Sequence, residues 1–299
     1  MNVIRPLAIT AAMLIASNVP ETDYAAWNAA TNYSVGAYCI RTTAATHKVY
    51  KCLVAGVDAT APESNTTKWL EYSPTNRWAM FDQRTGTQTQ QATSITFTVL
   101  PGAVVSSIAF INLQAASVRI VMTDPTDGVV YDVTHSTTVA SLSGDWDSFF
   151  FDYVTYKTDL VVQDLPTYPA ASIAVTISNG AGTAKVGVVA MGRSIELGGA
   201  KYGASFGITD YSRKTADEFG GYTIVKRAFA KRASFQLDVP KTIIDSVAAL
   251  LTELRSTPCV WVGHVDYQGT IVYGFYKDFD IVISYPTWCD CRIEIEGLT

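Results

Sequence analysis

A chain of 299 residues with 48% hydrophobic and only 16% charged residues carries enough apolar material for two or three packed domains, which excludes a disordered polymer. Twenty-two Lys and Arg against 27 Asp and Glu give a net charge of −5. No basic run is long enough to neutralise a row of phosphates, so nucleic acid is not an expected partner. The many Tyr, Phe, Trp, Val and Thr residues favour sheet over helix bundles, because flat and branched side chains pack well on a pleated surface.

Residues 1–21 read as an N-terminal arm. Met1 to Arg5 and the apolar run that follows imitate a secretory signal, and the expectation set against that reading is an uncleaved structural segment. The run is shorter than the roughly 20 residues of a spanning helix, so membrane insertion is not expected. Residues 22–73 read as a small β module, dense in Asn, Thr, Ala and Tyr, with strand-like runs at Ala37-Tyr-Cys-Ile40 and His47-Lys-Val-Tyr-Lys-Cys-Leu53. A linker over 74–90 follows.

Between residues 91 and 197 come strand candidates at 94–100, 104–113, 118–122, 129–133, 160–162, 173–177 and 186–190. Turn formers punctuate them: Pro101-Gly102, Asp124-Pro125 with Asp127-Gly128, Ser143-Gly144 and Asn179-Gly180. Short strands at this spacing predict a central β-sandwich or jelly roll. Residues 198–299 contain one amphipathic helix, expected over 241–255. Ile243, Ile244, Val247, Leu250, Leu251 and Leu254 form a single stripe on a period of 3.6, opened by Pro240 and stopped by Pro258. Strands expected at 222–239, 259–262, 270–285 and 289–295 make this an α+β domain with the helix on an antiparallel sheet.

Cys39, Cys52, Cys259, Cys289 and Cys291 form no C-x-x-C pair and sit at no zinc-finger spacing from a histidine, so no metal is expected. Five reduced, buried thiols are the expectation, with one cross-strand Cys39–Cys52 disulfide as the alternative. Gly203-Ala-Ser-Phe-Gly207 matches the G-x-S-x-G elbow of serine hydrolases with His264 downstream, but the polar stretch after it shows no helical stripe. Asp124-Pro-Thr-Asp127-Gly128 and Asp145-Trp-Asp147 lack EF-hand spacing and read as turn and loop carboxylates. Gly180-Ala-Gly182 lacks the third glycine of a dinucleotide loop. His47, His135 and His264 are scattered over the three regions. No catalytic residue and no cofactor are assigned, and the expectation is a non-enzyme.

The spacing Trp27-x5-Tyr33-x2-Gly36, followed by Val49-Tyr50, Pro62 and Trp69, resembles the small chitin- or cellulose-binding modules of bacterial glycosidases. Such modules stack sugar rings on exposed aromatic faces. The resemblance implies Trp27, Tyr33, Tyr50 and Trp69 as carbohydrate-binding residues; the alternative is that the four are the core of a small domain. Leu53 and Val54 stand where the stacking pair of that family usually falls. Further stretches are similar to a family of virion proteins from tailed bacteriophages, often labelled carbohydrate-binding. They are Met1-Asn-Val-Ile-Arg-Pro-Leu7, Pro74-Thr-Asn-Arg-Trp-Ala-Met-Phe-Asp82, Tyr202-Gly-Ala-Ser-Phe-Gly-Ile-Thr-Asp-Tyr-Ser-Arg213, Val272-Tyr-Gly-Phe-Tyr-Lys-Asp-Phe279 and Ile293-Glu-Ile-Glu-Gly-Leu298. In outline the third region also resembles tail-tube and distal-tail proteins.

These resemblances imply a structural component of a phage tail tip or baseplate, assembled in the host cytoplasm. Its partners would be copies of itself and other tail proteins, with a surface glycan as a further contact of the N-terminal module. The strands over 228–239 and 273–285 are expected to face neighbours. A secreted carbohydrate-binding protein or accessory module of a chitinase-like enzyme is the alternative from another class, and a neck or capsid-decoration protein the alternative within the virion.

Overall fold

Alternation of apolar and polar residues draws this chain into antiparallel strands, and the protein is mainly β. The computed structural model describes residues 1–43, 46–139, 155–216 and 218–298. The N-terminal strands are β1 (Asn2–Pro6), β2 (Leu14–Ser17), β3 (Tyr38–Arg41), β4 (Lys48–Cys52) and β5 (Trp69–Pro74). There follow β6 (Thr89–Val99), β7 (Ser107–Ile111), β8 (Ser117–Asp124), β9 (Gly128–Ser136), β10 (Thr138–Val139), β11 (Thr155–Tyr156), β12 (Leu160–Val162), β13 (Ser172–Val186) and β14 (Val188–Glu196). The last are β15 (Gly199–Ala200), β16 (Ser205–Asp210), β17 (Arg213–Ala216), β18 (Tyr222–Val225), β19 (Phe229–Pro240), β20 (Cys259–Val262), β21 (Ile271–Val282) and β22 (Trp288–Gly297). Helix α1 (Ile244–Glu253) stands between β19 and β20.

One ten-stranded sheet runs β12-β7-β14-β1-β20-β21-β22-β19, with β15 and β16 both paired along β19. A five-stranded sheet runs β2-β6-β13-β8-β9, and a three-stranded sheet β3-β4-β5. The centre of the large sheet is β1, whose Val3 lies opposite Ile195 on one side and Trp261 on the other. Neighbouring residues of a strand point to opposite faces. Val3 therefore joins a core with Phe235, Trp261 and the helix residues Val247, Leu251 and Leu254, while Ile4 joins a second core with Ala109, Ala190, Val260 and Tyr273. Both side chains are 0% exposed.

The five-stranded sheet lays Ile95, Phe97, Ile120, Met122 and Ile173 against Ile108, Phe110, Val189 and Met191 of the large sheet, which makes the central sandwich. Met191 and Ile195 lie four residues apart on β14, so they share a face of the large sheet. Sandwich core and helix core thus sit side by side on that face, one covered by the five-stranded sheet and the other by α1. Trp261 closes the helix core by donating its indole N–H to the Gly274 carbonyl, 3.0 Å away.

Several boundaries differ from the sequence expectation for physical reasons. The run 186–190 is not one strand, because the chain changes sheets at Gly187. There a Cβ would stand 2.9 Å from both Asn112 Cβ and the Thr85 carbonyl. Asn179-Gly180 does not reverse the chain: Gly180 takes φ +58 inside an irregularity of β13 between Ser178 and Thr183. The strand expected over 222–239 is broken between β18 and β19. The helix begins as a 3-10 turn at Lys241–Ile243 and ends at Glu253, two residues before the expected stop. Residues 1–21 supply strands to two sheets, since β2 pairs with β6. Ser143-Gly144 lies outside the described residues.

Ile4→Ala removes a fully buried side chain from the strand that both halves share, and the expected loss is about 2–5 kcal/mol. Denaturant unfolding is expected to show one transition at a lower midpoint. Two transitions, of which only one moves, would contradict a shared sheet.

Candidate functional site

In the small module, alternation along β3 and β4 turns Cys39, Tyr50 and Cys52 to one side, where they meet Tyr33 and Trp69 in a core of their own. The Tyr33 and Trp69 rings meet edge to face at 4.9 Å. The Tyr33 hydroxyl accepts the Asn28 backbone N–H at 2.8 Å, and the Trp69 indole donates to Asp58 at 3.1 Å. The Thr60 backbone N–H, ahead of the bonds from Trp69 and Asn65, holds the Asp58 carboxyl below the usual carboxylate range. Trp69 is 1% exposed, and Tyr33 and Tyr50 are buried too. In this conformation those three rings present no open face for a sugar. Trp27 is half-buried at the core's margin, with the Arg41 guanidinium 4.9 Å over its ring and Glu63 holding Arg41 from beyond.

A different set of aromatics lies outside. Tyr24 stacks on Tyr38 at 5.0 Å, and Tyr72 meets Tyr38 edge-on at 5.0 Å. Lys51, opposite Tyr38 in register, sets its ammonium 5.7 Å from that ring. Tyr72 is 51% exposed and its strand neighbour Leu70 is exposed as well. Leu53 and Val54 are also exposed. The available sequence signal was the alternation Tyr38-Cys39, which puts those two on opposite faces.

The remaining motifs resolve into local structure. Asp124 accepts the backbone N–H groups of Thr126 and Asp127, so its carboxylate shapes a turn. Asp145 and Asp147 lie outside the described residues. Ser205 sits in β16 opposite Ser234, with a strand where the hydrolase elbow needs a helix. His47 bonds Glu21 at 2.9 Å and stacks on Trp78; His135 bonds the Tyr131 hydroxyl at 3.2 Å; His264 lies 3.4 Å from Asp266. Burial and the adjacent Asp164 push the Tyr131 hydroxyl up to about 12. Among the described residues no group of three or more His, Cys, Asp or Glu converges on one point. An apolar cavity of about 290 Å³ is lined by Ile111, Phe229, Ile271, Tyr273 and Leu298, with the Lys231–Asp159 ion pair at its wall. The five cysteines are all free thiols and all buried.

Many of the exposed large apolar side chains belong to the last hundred residues. β16 pairs with the start of β19 and β17 pairs with β18, so the chain runs out and back as one long hairpin. Every residue of β17 and β18 is exposed. Phe206, Ile208, Tyr222, Ile224 and Phe229 are exposed along this hairpin, and Tyr202 beside it is 105% exposed. At the other end of β19, where Pro240 faces Trp288 in register, lie the exposed Val282, Ile283, Tyr285 and Trp288. Tyr285 and Trp288 contact each other at 5.4 Å. Of the strands expected to face neighbours, β19 buries Ala230, Ala233, Phe235, Leu237 and Val239 and exposes Phe229, Arg232, Gln236 and Pro240 along its length, while β21 is buried in its first four residues and partly exposed beyond them.

No family model matches this chain, and no curated protein matches it. Among solved structures, chitosan-binding module 1 of a chitosanase/glucanase from Paenibacillus sp. IK-5 is similar with a TM-score of 0.26 and 12% identity. The likeness covers 39% of this chain and 83% of that one.

Core and surface aromatics separate by mutation. Trp69→Ala is expected to destabilise the module by about 3–5 kcal/mol, whereas Tyr72→Ala, on the surface, stays within about 0.5 kcal/mol. Unfolding followed by tryptophan fluorescence reads both, and equal effects would contradict the assignment of faces.

Proposed function

We propose that this protein is a structural, non-enzymatic component of a tailed-phage virion, at the tail tip or baseplate, that works by being held against other chains. The observation that carries the reading is the set of large apolar side chains exposed at both ends of the C-terminal sheet. A monomer gains nothing by presenting Tyr202, Phe206, Ile224 and Trp288 to water, and fully burying such side chains in an interface is worth about 1.5–3 kcal/mol each. The low charge content agrees with this, since charges are depleted at the centre of interfaces. Buried free thiols agree with assembly in a reducing cytoplasm.

The N-terminal module adds a surface glycan contact in this reading. The exposed Tyr24 and Tyr72 rings, with the half-buried Tyr38 between them and the Lys51 ammonium beside it, offer an apolar surface and a hydrogen-bond donor to a sugar. The same rings favour the second reading, a secreted carbohydrate-binding protein. Particle location separates the two.

Particles carrying an epitope-labelled copy are expected to show label at the distal end of the tail in electron micrographs. Label absent from particles, with the protein recovered in the culture medium, would overturn the virion reading. For the glycan contact, retention on insoluble chitin or on host envelope polysaccharide is expected to fall about fivefold in Tyr72→Ala, since losing one stacked ring is worth on the order of 1 kcal/mol. Absence of retention by the unaltered protein on either material, or equal retention by the variant, would contradict it.

A further inference from the structure

The eight strands from β12 to β19 in the large sheet form a path whose two ends come together. Asp159, the residue before β12, is ion-paired with the Lys231 ammonium of β19. Val161 of β12 and Leu298, just past β22, pack on the core that holds Ile4 and Val260. The sheet therefore curls round that core, and a curl of about eight strands leaves an interior wide enough for side chains or for one small ligand. Here side chains do not fill it. The cavity of about 290 Å³ lies where the two ends meet, with Ile111, Ile271 and Tyr273 as its buried floor and the exposed Gly86, Ala228 and Phe229 at its mouth.

The polar groups of its wall define what an occupant must bring. Both Asp159 oxygens are used: Oδ1 accepts the Asn112 backbone N–H at 3.2 Å, and Oδ2 accepts the Thr158 hydroxyl at 3.3 Å together with the Lys231 ammonium. Tyr273 is 5% exposed, and its hydroxyl has no hydrogen-bond partner among the described residues. A buried polar group left without a partner costs free energy. Burial, ahead of Cys259 and Asp82, pushes that hydroxyl up to about 12, so it remains a proton donor at neutral pH. The Lys231 ammonium also has N–H groups beyond the one given to Asp159. The unused capacity at the cavity is thus donors, which call for an acceptor. Asp159 already neutralises Lys231, and Asp82 adds negative charge near Tyr273, so a carboxylate would enter as an uncompensated buried ion. A neutral carbonyl oxygen meets the donors without that cost.

An apolar cavity of about 150 Å³ holds one benzene, so this one suits about two fused rings. We propose that the cavity binds a small, uncharged, largely apolar molecule of that size, with a carbonyl or similar acceptor on the Tyr273 hydroxyl. Such an occupant touches β7, β19 and β21 together, strands that lie on both sides of β1.

Three naphthalenes of nearly equal size test it on the full-length protein by calorimetric or fluorescence titration. They are 2-acetylnaphthalene, 2-ethylnaphthalene, which lacks the acceptor, and 2-naphthoate, which is charged at neutral pH. The acetyl compound is expected to bind about fivefold more tightly than the ethyl compound, and naphthoate to bind most weakly. Tyr273→Phe keeps the ring and loses the hydroxyl. It is expected to bring the acetyl compound down to the ethyl level and to leave the ethyl compound unchanged. Ala228→Trp, at the exposed mouth, is expected to abolish binding of both while keeping the wild-type thermal midpoint. Binding of none of the three would leave the cavity to water and overturn the proposal. Equal affinity across the series, tightest binding of naphthoate, or either variant binding all three like the wild type would overturn it as well. Each of these failures leaves the virion reading standing.

Discussion

The structure depends on β1. This strand of five residues lies between β14 and β20, so the backbone hydrogen bonds that join the central strands to the C-terminal strands pass through it. The pleat sends Val3 to the helix-covered core and Ile4 to the opposite one. Gly192 of β14 faces Pro6, and a Cβ there would collide with the Arg5 carbonyl, so the close approach of the two strands itself requires glycine. Sandwich and helix-bearing halves are consequently one sheet with two covers, and a force applied to one end is carried into the other.

The separation of inside from outside in the small module follows a similar logic. With few residues, the module spends its most recognisable aromatics, Tyr33, Tyr50 and Trp69, on a core. Its outer face is left to Tyr24, Tyr38 and Tyr72, which support one another by ring contacts. A sequence pattern shared with sugar-binding modules therefore describes how such a domain is packed as much as what it touches.

What was legible in the sequence tracks the strength of periodicity. The helix stood out because Val247, Leu251 and Leu254 repeat on one stripe and bury as a stripe. Strands such as β12 and β20 fell where apolar runs fell. The join through β1 was not legible, since five residues show too few alternations to mark a central strand, and pairing partners almost two hundred residues away leave no local trace. The change of sheet at Gly187 was hidden for the opposite reason: Val186 and Val188–Ala190 read as one apolar run although they lie in different sheets. Which face of β3 is inner was also hidden, because Tyr38 and Cys39 both suit a core. The hairpin was not legible, since the sequence expectation ran one strand over 222–239; β17 and β18 instead pair with each other, and all of their residues are exposed.

Apolar surface at both ends of the C-terminal sheet is the feature on which the proposed function rests. Its most direct test is hydroxyl-radical footprinting of Tyr222 and Trp288, in the isolated chain at low concentration and in intact particles. Both side chains are expected to be modified readily in the free chain and strongly protected in the particle. Equal modification in the two states would mean that this surface is not an interface and would contradict the account.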